Sequence, residues 1–294
     1  MKTWLKRGTV IGFMVLLVGV IFSLHAGSRL IAPSPHNIGS PPNDLPVKTV
    51  EIQSASGSLI KGWVSDLPDS KGSILLLHGI HSDRRSMIGR AQFLIQQSYN
   101  VLLVDFQAHG ESSGNHITMG QLESKDVVSS IGFLRTRFPG QAIGVIGSSL
   151  GGAATALAKC DPPPDALVLE AVFADITTAV NNRLTMRFGN SGKLLAPLLT
   201  CQIQPLLGIP LNQMSPMKTI HDIQAPSLLI YGSEDKRATP SEGRMLHSLA
   251  PEPKEFWLVD GAAHVDLHRY AGKQYEKRIL SFFEKYLPVR HSLR

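Results

Sequence analysis

Residues 142–157 read AIGVIGSSLGGAATAL. The first five residues are an apolar run of strand type, and the last eight open an Ala-rich helix. Between them lies Gly147-Ser148-Ser149-Leu150-Gly151, which fits the pattern G-x-S-x-G on a tight strand-to-helix turn. Such a turn tolerates no bulk two residues before or two residues after the residue at its apex. Ser149 has Gly147 and Gly151 at those places, whereas Ser148 would have Ile146 and Leu150. Ser149 is therefore the apex. Its Oγ is expected at the carboxyl end of a sheet, where open α/β folds bind ligands. The helix N-terminus beneath it favours developing negative charge. Small residues also start helices that merely pack on sheets, so the pentapeptide gains its weight from the strand–turn–helix setting.

That setting repeats along the chain. Residues 73–77 (SILLL), 101–104 (VLLV), 166–169 (ALVL), 227–231 (SLLIY) and 255–259 (EFWLV) are short, near-continuous apolar runs, the pattern of strands covered on both faces. Amphipathic stretches at 85–97, 121–138, 150–159, 240–249 and 274–286 read as helices between them. Residues 47–53 and 59–64 read as two hairpin strands, with Ser56-Gly57 as the turn. Strand alternating with helix at this spacing predicts an α/β fold with a mostly parallel sheet and an antiparallel edge. Residues 176–223 break the rhythm, with no buried-strand signal and with Pro197, Pro205 and Pro210 interrupting Leu-rich segments. This interval is expected to be an inserted helical lid whose Leu and Met side chains pack mainly on one another.

Hydrophobic residues make up 43% of the 294-residue chain and charged residues 18%, a globular balance that excludes wholesale disorder. Two cysteines, Cys160 and Cys201, exclude a disulfide scaffold and a zinc finger. They would either pair in an exported domain or remain separate buried thiols. The net charge is +6, without a basic run interleaved with aromatics, so nucleic acid is not the expected partner. Lys2, Lys6 and Arg7 precede residues 8–24, which carry no charge. An uncleaved membrane anchor, a cleaved signal peptide and a buried helix all fit so short an apolar run. The anchor is preferred, because Leu24 stands where a cleavage site ending at Ala26 wants a small residue. Keeping the cations inside places the remainder on the non-cytoplasmic side. Residues 1–27 are thus read as anchor or signal sequence, 28–46 as a Pro/Ser-rich linker lifting the domain off the membrane, 47–288 as the folded domain, and 289–294 as a basic tail.

A serine hydroxyl is a weak nucleophile without an oriented base. Gly232-Ser233-Glu234-Asp235 follows the strand at 227–231, and Asp260-Gly261-Ala262-Ala263-His264 follows the strand at 255–259. Both loops leave carboxyl ends of parallel strands, as Ser149 does, in the chain order nucleophile, acid, histidine. Asp235 is the expected acid, with Glu234 pointing elsewhere and Asp175 as the alternative. His264 is the expected base over His268 and His247, while Asp260 and Asp266 read as solvated turn or capping residues. Backbone N–H groups of Leu150, after the nucleophile, and of Ile80, after His78-Gly79, are placed to form an oxyanion hole. His78 is read as a brace for that loop, and His81 as an entrance residue or a solvated one. Asp105 is expected to make local backbone hydrogen bonds. His109 precedes Ser149 and lacks an orienting acid.

HG at 78–79, DFQAHGES at 105–112, GSSLGG at 147–152, GSED at 232–235 and GAAH at 261–264 together resemble the α/β-hydrolase superfamily over residues 47–287. The loops are similar to those of membrane-anchored bacterial serine hydrolases related to the Bem46- and ABHD13-type group. The resemblance implies an eight-stranded sheet with its second strand antiparallel, a Ser149–His264–Asp235 triad and no cofactor or metal. Ile80 departs from the small or polar residue that often follows His-Gly, which makes the pocket floor more apolar. The expected function is a monomeric serine hydrolase that cleaves a small-molecule carboxylic ester through an acyl-enzyme. Thioester, amide or peptide cleavage would use the same triad, and a non-catalytic membrane-tethered binding module is the rival from another class. Dehalogenase and epoxide hydrolase are disfavoured because Ser, not Asp, occupies the turn.

Overall fold

Alternation within each apolar run sends neighbouring side chains to opposite faces of a strand. Leu75 and Leu77 enter one buried cluster, together with Leu102 and Val104. Ile74 and Leu76 enter another, together with Val101 and Leu103. Two cores result, one on each face of a single sheet. The computed structural model describes Met14, Gly19, Val20 and residues 23–288.

The strands are β1 (Val47–Gln53), β2 (Leu59–Ser65), β3 (Ser73–Leu77), β4 (Asn100–Val104), β5 (Ile143–Ser148), β6 (Ala166–Glu170), β7 (Ser227–Gly232) and β8 (Lys254–Val259). They form one eight-stranded sheet in the order β8-β7-β6-β5-β3-β4-β2-β1. Only β2 runs against the rest, pairing antiparallel with both β1 and β4. The helices are α1 (Ile88–Gln96), α2 (Glu123–Arg137), α3 (Leu150–Leu157), α4 (Ile176–Phe188), α5 (Ala196–Leu207), α6 (Pro240–Leu249), α7 (Leu267–Ala271) and α8 (Lys273–Tyr286). Val127, Ile131 and Leu134 of α2 and Ala153 and Ala154 of α3 cover one face. Ala91 and Leu94 of α1 and Ile279, Phe282 and Phe283 of α8 cover the other. The sheet is thus α/β and mostly parallel, as the sequence predicts.

Between β6 and β7 the chain makes α4 and α5 instead of another strand. The apolar side chains here do not all pack on one another: Leu194 is 80% exposed, and Met186, Phe188 and Leu198 are each half exposed or more. Residues 23–30 are helical, and Ser23 Oγ donates to Leu198 O of α5. The predicted membrane segment at 8–24 and the basic tail at 289–294 lie largely outside the described residues. No helix among the described residues is long and apolar enough to cross a membrane. Cys160 is half-buried and Cys201 exposed, and neither is in a disulfide.

Residues 31–46, expected to lift the domain away, instead run along it. Ile31 and Leu45 are buried. Ser34 N–H donates to Ala108 O at 2.8 Å, His36 N–H to Gly110 O at 2.9 Å, and Ile117 N–H to Ile31 O at 2.8 Å. Glu111 Oε1 accepts from the N–H groups of Ile38 at 3.0 Å and Gly39 at 2.9 Å. The other oxygen of Glu111 and Asp105 Oδ2 both pair with the fully buried Arg84 guanidinium, which lies 4.6 Å over the Trp63 ring. Burial works against the Glu111 charge, but the two N–H donors and Arg84 outweigh it and hold its pKa down at about 2.

Candidate active site

The turn at Ser149 is built by absent side chains. A Cβ on Gly147 would lie 2.5 Å from the Gly151 carbonyl carbon, and one on Gly151 would lie 2.5 Å from Leu77 O. Only glycine lets α3 start so close to β5 and β3. Ser149 itself sits at φ 51°, ψ −105°, a sparsely populated region that costs on the order of 1–3 kcal/mol and is held by its surroundings. One restraint is visible: Ser149 N–H donates to Glu170 O at the end of β6, at 2.8 Å. Ser149 is 9% exposed.

Gly232 brings the other two loops together. Its missing Cβ would lie 2.2 Å from Ala262 O, so the acid loop after β7 and the histidine loop after β8 touch backbone to backbone. Glu234 N–H donates to Ala262 O at 2.9 Å, while its side chain is exposed. Asp235 is 3% exposed. Its Oδ1 accepts from Arg237 N–H at 2.7 Å and Ala238 N–H at 3.0 Å. Its Oδ2 lies 2.7 Å from His264 Nδ1.

Ser149, His264, Gly79, Ile80, Arg183 and Arg237 line one cavity of about 230 Å³. A Cβ on Gly79 would sit 3.6 Å from Ser149 Cβ, which fixes how closely the His78-Gly79-Ile80 loop approaches the serine. Leu150 is the first residue of α3, and an N–H at that position has no intrahelical acceptor.

The remaining sequence candidates fall elsewhere. Asp175 caps α4, accepting from Thr178 N–H at 2.9 Å and Thr178 Oγ1 at 2.8 Å. His268 Nε2 lies 3.3 Å from Glu276 Oε1, and the His247 ring sits 5.5 Å from Phe256. His78 is fully buried. It donates from Nδ1 to Gly79 O at 2.7 Å and accepts from Phe106 N–H on Nε2 at 3.1 Å, so both nitrogens brace the loop. Burial drives its pKa down to about 4, keeping the ring neutral. His109 lies 5.1 Å from the His78 ring. Its Nδ1 faces Gln107 O at 2.9 Å, and burial lowers its pKa to about 4 as well. Asp105 accepts from Arg84 N–H at 2.7 Å and Glu111 N–H at 3.0 Å, a backbone role as expected, extended by the Arg84 side chain.

A buried arginine cluster braces the site, and nothing in the sequence reading singled it out. Arg90 on α1 donates to Glu170 through Nε at 3.2 Å and Nη2 at 2.7 Å, and pairs with Asp266 through Nη1 at 2.8 Å. Glu170 ends the strand whose carbonyl holds Ser149 N–H, and Asp266 caps α7 two residues after His264. Burial opposes the Arg90 charge, but Glu170, Tyr275 and Asp266 hold its pKa well above the ordinary range. The cluster thus ties the serine turn and the histidine loop to one rigid helix.

The chain has the fold of the α/β hydrolases. The family model for serine aminopeptidase, S33, matches residues 68–207. The uncharacterized protein YqkD of Bacillus subtilis is 24% identical over 238 residues, 79% of this chain and 78% of that protein. The alpha/beta hydrolase domain-containing protein WAV2 of Arabidopsis thaliana is 28% identical over 266 residues, 84% of this chain and 82% of its own. Among solved structures, the Pyrococcus furiosus esterase Pf2001 superposes with a TM-score of 0.72 at 24% identity, covering 88% of this chain and 98% of that one.

Proposed function

We propose that the chain is a serine hydrolase that cleaves small carboxylic esters through an acyl-enzyme. The observation that carries this reading is the His264 Nδ1 to Asp235 Oδ2 contact of 2.7 Å, made by a histidine that shares a cavity with Ser149. A carboxylate at Nδ1 holds the Nδ1–H tautomer, which leaves Nε2 free to accept a proton. His264 then takes the Ser149 hydroxyl proton as Oγ attacks the ester carbonyl. The Ile80 and Leu150 N–H groups stabilise the oxyanion that forms. Collapse breaks the C–O bond, and His264 returns the proton to the leaving alcohol. A water attacks the acyl-enzyme with His264 again as base, releasing the acid and restoring Ser149.

The cavity beside Ser149, of about 230 Å³ and open to solvent, has room for a short acyl group. We also propose membrane attachment through residues 8–24. The exposed apolar side chains of the α4–α5 region, beside which residues 23–30 pack, support that reading.

A fluorophosphonate probe and a nitrophenyl ester series of rising acyl length test the enzymatic reading. Wild-type protein should be labelled once, at Ser149, with activity falling beyond short chains. Ser149→Ala should lose label and turnover while Ser148→Ala keeps both. Labelling at Ser148, or more than a tenth of the activity in Ser149→Ala, overturns the assignment.

A further inference from the structure

Three arginines line the cavity that holds Ser149 and His264, and they differ in one respect. Arg90 is saturated with carboxylates, as described. Arg183 and Arg237 are in no ion pair among the described residues. Among the described residues, the only acceptor of the Arg183 side chain is Ala179 O of its own helix, at 3.3 Å from Nη1, which leaves most of the five guanidinium donors without a protein partner. Arg237 uses its backbone N–H for Asp235 and its carbonyl for Asn182, and its side chain is exposed.

Two like charges do not gather at a cavity wall without something that holds them there. The holding group here is Asn182, next to Arg183 on α4. Its Nδ2 donates to Arg237 O at 3.1 Å and to Glu242 Oε2 at 2.8 Å, which locks α4 onto the acid loop. The two nearby carboxylates are committed elsewhere. Asp235 serves His264 and two backbone N–H groups, and Glu242 accepts from Ala174 N–H, Thr239 and Asn182. Burial first, and the Arg237 charge second, depress the Arg183 pKa, against the opposing pull of Asp235 and Glu242. The pair therefore offers unspent donors on the wall of the cavity that holds Ser149, Arg183 half-buried and Arg237 exposed.

We infer that Arg183 and Arg237 form an anion-binding subsite, and that the preferred ester carries a carboxylate or phosphate close to its scissile bond. Planar guanidinium forks suit both groups, because each presents paired oxygens. The inference rests on the hydrolase reading and deepens it. It also assigns α4 a task, since the inserted segment brings one of the two recognition charges to the cavity.

Two matched ester pairs test it. One pair is mono-nitrophenyl glutarate against nitrophenyl butyrate; the other is 1-butanoylglycerol 3-phosphate against 1-butanoylglycerol. For each pair the ratio of kcat/KM, anionic over neutral, is compared between wild type and the double variant Arg183→Gln/Arg237→Gln. Loss of hydrogen bonds to a charged group predicts a fall in that ratio of about 10- to 100-fold, carried by KM. The pair that shows the larger fall tells carboxylate from phosphate. The wild-type preference should also shrink as salt is added, because one partner is partly exposed. A ratio that is the same in wild type and double variant overturns the subsite, even though esters are cleaved and Ser149 is labelled. Absence of both cleavage and labelling overturns the hydrolase reading instead. Calorimetric titration of Ser149→Ala with mono-nitrophenyl glutarate and with inorganic phosphate then judges the subsite alone. Binding weakened by the two arginine substitutions supports it, and binding indifferent to them sinks it.

Discussion

Replacing Asp235 by Asn removes one charge and almost no volume, yet the structure predicts a large effect. Two backbone N–H groups, of Arg237 and Ala238, point at Oδ1 from 2.7 and 3.0 Å. An amide NH2 cannot face two donors, so the Asn oxygen must take that side. The NH2 then faces His264 Nδ1, now 2.7 Å from a donor where it had an acceptor. The imidazole must accept at Nδ1, which moves its proton to Nε2. That tautomer has no lone pair for the Ser149 proton. Loss of the base through a wrong tautomer is worth about 10⁴ in kcat, or about 5 kcal/mol at 1.36 kcal/mol per factor of ten. Stability should change little, because the buried hydrogen bonds are all remade. The assay is short-chain nitrophenyl ester turnover, alongside the rate and stoichiometry of fluorophosphonate labelling. Turnover and labelling rate should fall together while the endpoint stays at one label per chain. A loss of less than tenfold, in protein shown to be folded, would refute the tautomer argument and with it the role given to Asp235.

Burial pushes the pKa of Asp126 up from 3.8 to about 7, against hydrogen bonds from Ser54 and Ser56 hydroxyls and Gln107 N–H. Its folded pKa lies above the unfolded one, so its stabilising contribution is complete below about pH 4 and is lost as pH rises through about 7. Asp126→Asn should therefore raise stability in urea at pH 8, by up to about 4 kcal/mol, and make no gain at pH 4; equal curves at both pH values contradict this. For membrane attachment, cell fractionation should find protein of full mass in the membrane pellet, open to protease added from outside the cytoplasm. A soluble form starting near Gly27 means cleavage, and full-length protein in the cytosol defeats both readings.

The sheet was legible because burial on two faces leaves a local signature: Ile74, Leu75, Leu76 and Leu77 have no polar neighbour among them. The three loops that carry Ser149, Asp235 and His264 were legible because each follows a parallel strand. Long-range ion pairs left no such signature. Arg90 and Glu170 are 80 residues apart, and in sequence each reads as an ordinary surface charge. Arg183 and Arg237 were invisible for the same reason, with the added difficulty that α4 belongs to a segment without a strand frame. Residues 28–46 read as free spacer because backbone hydrogen bonds such as Ser34 N–H to Ala108 O depend on no particular side chain.

That strap has a mechanical consequence. A pull on the N-terminus reaches β1 only after passing the contacts at Ile31, Ser34, His36, Ile38 and Gly39. Those bonds are loaded together, several in series with the Glu111–Arg84 ion pair, before any strand of the catalytic sheet feels tension. A load on the N-terminal end would strip the strap first and leave Ser149, which lies five strands and two helices further along the chain, in its strained turn. The segment would thus act as a shock absorber between a load on the N-terminus and the turn at Ser149.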